Sequence, residues 1–204
     1  MGLSLHYRGT LTDKRQLGPI VEELEDIAHS LQWRTHIYDE PWNQKPDARL
    51  EQDSMGNNQI VGNLGLKGIV LRPHPDCEPL YFCFGASGVM TSPVQVALSA
   101  ADGYPVTPTW ISVKTQFAGP DIHVAIVKLL RYLSGKYLHD LEVEDEGGYW
   151  ATGDYQEMVR RMGFLQEGIE ALARQAATLK RRDEADIVAQ IEQLLRKMRD
   201  REED

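Results

Sequence analysis

Apolar and polar residues alternate from Leu3 to Arg8, with Leu3, Leu5 and Tyr7 on one side and Ser4, His6 and Arg8 on the other. A two-residue period of this kind predicts a half-buried strand. The period then changes. Leu17, Ile20, Val21, Leu24, Ile27, Ala28 and Leu31 recur at three- and four-residue intervals, the stripe of an amphipathic helix. Thr12 or Asp13 stands where a cap is needed, and Pro19 lies near the first turn, where its missing N–H does least harm. Trp33 at the helix end is expected in the core, and a second strand over 34–38 closes the unit.

The same succession returns in the middle of the chain. Over 109–117, Ile111, Val113, Thr115 and Phe117 share one face and Trp110, Ser112, Lys114 and Gln116 the other. Pro120-Asp121 opens a helix whose core stripe is Ile122, Ile126, Leu129, Leu130, Leu133 and Tyr137, and a strand over 140–144 follows. A shift of 106 positions lays the two units on each other without a gap: Arg8 on Lys114, Ile20 on Ile126, Leu24 on Leu130, and Asp39-Glu40 on Asp145-Glu146. Each unit then reaches a tryptophan, Trp42 or Trp150. Apolar spacing makes any two strand-helix-strand units alike. The matched basic residues and paired acids are what suggest an internal duplication, with units at about 3–42 and 109–150.

Between the units, strands are expected over 68–71 and 80–84, joined by the proline-stiffened run Arg72-Pro73-His74-Pro75-Asp76-Cys77-Glu78-Pro79. A weaker strand is expected over 89–96. Residues 41–63 are polar and aperiodic and read as a long loop. The sum is an α+β fold: a largely antiparallel sheet built from two pseudo-symmetric β-α-β units, with helices on one face. That body spans 1–153.

From 154 to 204 the pattern differs. Tyr155, Met158, Met162, Leu165, Ile169, Leu172, Ala176 and Leu179 are spaced alternately three and four apart, which is a heptad seam. A second stripe, Ile187, Ile191, Leu194 and Met198, is offset from it, so the region is a helical hairpin or one long helix. A hairpin could bury its own seam, and the helices could pack on the body of their own chain, whereas a single long helix needs a partner, either a second copy of the chain or another helical protein.

Composition narrows the function classes. The 204 residues carry a net charge of −9, which argues against general nucleic-acid binding, since that draws on clustered Lys and Arg. No run of about eighteen apolar residues is present to span a membrane, and no leader-like apolar stretch opens the chain. Two cysteines, Cys77 and Cys83, imply no disulfide framework and a reducing compartment, so the cytoplasm is expected. The glycines between Gly62 and Gly68 lack a following Lys-Ser/Thr and a helix, so no nucleotide cofactor is expected.

Candidate chemistry sits in three places. Asp39, Glu40, Asp145 and Glu146 follow strands that duplication would relate, and convergent carboxylates bind a divalent metal or divide acid and base roles. Arg8 and Lys114 would add anion contacts. His74 and Asp76 in the stiff connector, with His123 near the second helix start, offer a further metal set, although solvated turn acids and a hairpin connector account for the two groups better. Trp42, Trp110 and Trp150 are candidate binding surfaces beside these charges. A binding or assembly module that self-associates through Met158, Met162, Leu165, Ile169, Leu172 and Leu179 fits these features best; a divalent-metal-dependent hydrolase or lyase is the alternative.

Overall fold

The computed structural model describes residues 3–102 and 109–163. The chain divides into two units, Met1–Tyr155 and Gln156–Asp204, and every named element below lies in the first. β1 (Ser4–Arg8) turns Leu5 and Tyr7 into the core. The Asp13 carboxylate then accepts the Arg15 N–H at 3.0 Å and opens a single 3-10 turn, Lys14–Gln16. That turn feeds α1 (Leu17–Ser30), whose Ile20, Leu24 and Ala28 are buried. Leu31, read as the end of the stripe, is exposed. β2 (Arg34–Asp39) follows.

Two sequence expectations fail in the next stretch. Residues 41–63 are not a structureless loop, because they contain a hairpin of β3 (Arg49–Gln52) and β4 (Asn58–Val61). Its turn is pinned by the Asp53 carboxylate, which accepts the N–H groups of Met55 and Asn57 at 2.8 and 2.9 Å. All four β3 positions are exposed, so there is no buried face to impose an alternating pattern. After β5 (Lys67–Arg72) and β6 (Leu80–Phe84), the expected strand over 89–96 shrinks to β7 (Met90–Thr91) and gives way to α2 (Pro93–Asp102). A reciprocal capping box forces the change. Ser92 Oγ accepts the Gln95 N–H at 3.3 Å, and Gln95 Oε1 accepts the Ser92 N–H at 2.9 Å. Pro93 fills the first helical position, where no partner N–H is missed. The remaining elements are β8 (Ile111–Lys114), α3 (Pro120–Lys136), β9 (Glu142–Asp145) and the short α4 (Tyr149–Thr152). Residues 155–163 are helical.

The strands form separate antiparallel sheets, in the orders β8-β1-β9 and β2-β5-β6-β7, beside the β3-β4 hairpin. The two β-α-β segments therefore have different surroundings. β8 and β9 both flank β1, whereas β1 and β2 lie in different sheets. Tyr7 links those sheets: its hydroxyl donates to the Tyr81 carbonyl at 3.2 Å and accepts the Tyr81 N–H at 2.8 Å. Just past β1, the Met90 N–H reaches the Gly9 carbonyl and the Leu11 N–H reaches the Gly88 carbonyl.

Helices do not cover one face only. Ile69, Leu71, Leu80, Phe82 and Phe84 face a large core shared with α1 and α3, while Val70 and Cys83 face a second, smaller core with Val96 and Ala97 of α2. The close β5–β6 approach depends on Gly68, at φ 138°, where an added Cβ would fall 2.1 Å from the Phe82 carbonyl oxygen. Among the described residues no helix is long and apolar enough to cross a membrane.

Candidate functional site

The acid pairs are not brought together. Asp39 ends β2 in the four-stranded sheet and Asp145 ends β9 in the three-stranded one. Asp39 pairs with Lys67. Glu40 accepts the Leu66 N–H at 3.2 Å and returns its own N–H to the Leu66 carbonyl at 2.9 Å. Glu146 takes the Ser4 N–H at 2.7 Å and stands 3.6 Å from His6.

The Asp145 side chain is buried, and its partner was not legible in sequence. His123 Nε2 stands 3.0 Å from Asp145 Oδ1, within ion-pairing range but off the axis of a straight hydrogen bond. The other ring nitrogen shares a 2.8 Å hydrogen bond with Thr115 Oγ1. Asp145 also accepts the N–H groups of Gly147 and Trp150, each at 2.7 Å. Burial pushes the Asp145 carboxyl up, but the His123 ring and these two N–H groups outweigh it and hold the carboxyl below its ordinary value. A Cβ at Gly147 would lie 3.0 Å from both Asp145 Oδ1 and His123 Nε2, so a side chain there would press on this pair. A hydroxyl–imidazole–carboxylate chain is chemically a proton relay. Here His123 is 0% and the Asp145 side chain 1% exposed, so no substrate reaches it. It ties the first turn of α3 to the ends of β8 and β9.

The partners of His123 are thus Thr115 and Asp145, not the connector residues it was matched with. In the connector, His74 Nδ1 accepts the Asp76 N–H at 3.1 Å. Cys77 is buried, its thiol pushed up to about 11 first by burial and then by the Glu78 charge. Glu78 exchanges two hydrogen bonds with the backbone of Lys114, at 2.8 and 3.2 Å. Among the described residues, no three His, Cys, Asp or Glu side chains gather as a metal site.

Arg8 and Lys114 fall at opposite ends of the β1–β8 pair, since Ser4 is opposite Lys114. Arg8 forks onto Glu142 at 2.8 and 3.0 Å and lies 4.6 Å over Trp110. Lys114 lies over Phe117. Trp150 and Tyr149 take Arg131 against their rings.

Trp42 gathers the most around itself. Its indole N–H donates to the Phe84 carbonyl at 3.2 Å, fixing the ring. Lys14 stands 5.3 Å and Lys67 5.9 Å from the ring centroid. The ring walls a half-open cavity of about 240 Å³ whose surface is mostly apolar, with Leu64, Leu66, Val89 and Val96 in its lining. Gly85, Ala86 and Ser87, in the turn after β6, form part of the same wall. Lys14 and Lys67 carried no sequence signal, because they meet the Trp42 ring only through the fold.

The chain matches no family model, no curated protein and no solved structure. Of the seam positions, Met158 and Met162 lie in the helical stretch 155–163 and are buried. Leu165, Ile169, Leu172 and Leu179 lie outside the described residues, as does the choice between a helical hairpin and one long helix.

Proposed function

We propose that the protein is a binding or assembly module that self-associates through its C-terminal helices, with the α+β body carrying a separate recognition surface. The observation that carries this reading is the seam of Tyr155, Met158, Met162, Leu165, Ile169, Leu172, Ala176 and Leu179. Its opening residues, 155–163, are helical as the spacing requires, and since Met158 and Met162 are already covered within the chain, the association is assigned to the seam positions that follow them. A heptad seam over more than three repeats buries its apolar edge most fully against another helix. Supporting it from the other side, each of the four candidate acids already has a partner within the fold: Lys67, the Leu66 N–H, His123 and the Ser4 N–H. That spacing of acids over two sheets lends the metal-dependent hydrolase or lyase less support. The buried free thiols of Cys77 and Cys83 fit a reducing compartment such as the cytoplasm. The matched acids and basic residues of the two β-α-β segments keep duplication as our reading of their origin.

The test is light scattering on the size-exclusion peak of three proteins: the intact chain, the chain ending at Gly153, and the double variant Leu165→Glu/Ile169→Glu. Self-association predicts an intact chain heavier than one protomer. It also predicts that both altered proteins run as monomers with the circular dichroism of a folded body. An intact monomer would refute the reading. Folded variants that keep the oligomeric mass would refute it too.

A further inference from the structure

We infer that the outer edge of β2 takes up an extended segment of another protein as an added strand, one that alternates acidic and apolar residues. The inference rests on the reading of the body as a recognition module and is separate from assembly through the seam. β2 ends the order β2-β5-β6-β7. One step past its ladder, the Glu40 N–H bonds the Leu66 carbonyl at 2.9 Å. Inward and outward backbone groups alternate along an antiparallel strand. Arg34, His36 and Tyr38 therefore turn their N–H and C=O groups to β5, and Thr35, Ile37 and Asp39 turn theirs away. Among the described residues nothing hydrogen-bonds to these outward groups. Such an edge is a template for a further strand unless it is blunted. The other outer strands of the two larger sheets are blunted: β7 is two residues long, Glu78 closes the outer side of β8 at Lys114, and β9 carries Glu142, Glu144 and Asp145. β2 is exposed from Arg34 to Ile37 and at Asp39, and its middle, Thr35-His36-Ile37, holds no carboxylate or proline.

The two faces of this edge set the partner's pattern. Arg34 lies directly opposite Arg72, on the face that also carries His36 and Tyr38. Like charges directly across a ladder repel, and among the described residues neither guanidinium has a carboxylate in ion-pair range. Asp39, at the far end of the strand, is taken by Lys67. A carboxylate on an added strand beside Arg34 offsets that repulsion through a charge-assisted hydrogen bond. On the other face Ile37, opposite Ile69, is 42% exposed and meets an apolar neighbour. Successive side chains of a strand point to opposite faces, so an acid over Arg34 alternates with an apolar residue beside Ile37.

The experiment titrates the intact, isotope-labelled chain by NMR with capped peptides of sequence Thr-Glu-Val-Glu-Thr, Thr-Gln-Val-Gln-Thr and Thr-Lys-Val-Lys-Thr. A fourth peptide is the acidic one N-methylated throughout, which lacks every donor that a strand needs. The proposal predicts that the acidic peptide binds about threefold more tightly than the glutamine one, the contribution of one exposed charge contact, and that the lysine peptide binds most weakly. Amide shifts should centre on Thr35, Ile37 and Asp39, and the N-methylated peptide should not bind. Arg34→Gln, at an exposed position, should erase the difference between acid and glutamine. An acidic peptide that binds no better than the glutamine one overturns the proposal, as do shifts that spare β2. Equal binding by the N-methylated peptide, or no binding by any peptide at millimolar concentration, overturns it as well. Binding is read apart from the mass of the assembly, so failure here leaves the seam untouched.

Discussion

At the scale of single residues, the fold rests on positions whose role lies in what they meet across the chain. Gly68 is the sharpest case. Its positive φ and the 2.1 Å approach of a would-be Cβ to the Phe82 carbonyl oxygen leave no rotamer to relieve a clash with backbone. Gly68→Ala should cost about 3 kcal/mol or more, read as a lowered urea midpoint, and a loss under about 1 kcal/mol would contradict the β5–β6 register. Glu23 shows the same dependence on distant partners. It binds both Lys136 and the hydroxyls of Tyr132 and Tyr137, and these contacts, Lys136 foremost, pull its carboxyl down to about 2. A depressed carboxyl stabilises the fold above its unfolded value of about 4.3, and that contribution drains away as pH falls towards 2. Glu23→Gln should therefore flatten the stability profile between about pH 4 and 2 when urea midpoints are compared across that window. An unchanged acid limb would remove Glu23 from the account. None of this was legible in sequence. Nothing in the spacing of His123 and Asp145, or of Tyr7 and Tyr81, marks them as partners, because such pairs exist only after the sheets assemble.

At the scale of elements, legibility follows burial. α1 and α3 each carry one buried stripe, Ile20, Leu24 and Ala28 in the first and Ile126, Leu130 and Leu133 in the second, so their period is written plainly. The β3-β4 hairpin buries almost nothing on β3 and leaves no period to read. The run 89–96 failed for a different reason: its apolar residues suit a strand or a helix, and the decision rests with the box of Ser92 and Gln95. Ser92→Ala should cost about 1 kcal/mol and loosen α2, seen as faster amide exchange in its first turn. Exchange equal to that of the unaltered chain would show that packing against Ala97 and Val96, rather than the cap, holds the helix start.

At the scale of the whole molecule, the α+β class and the antiparallel pairing followed from the order of periods along the chain. The arrangement of strands did not. A sequence echo carries no information about which strand lies beside which, and β1 sits between β8 and β9 while β2 joins a different sheet. The surroundings of Trp42 were half legible: Asp39 and Glu40 stood out as its neighbours in sequence, whereas Lys14 and Lys67 reach its ring from other elements. Assembly is the property on which the functional reading turns, since a seam of apolar residues at heptad spacing is most fully satisfied by another helix. The most direct measurement is the molar mass of the intact chain by sedimentation velocity across a wide range of concentration. The account predicts a mass above that of one 23.1 kDa protomer, rising or holding as concentration increases. A single species at the protomer mass throughout would contradict it.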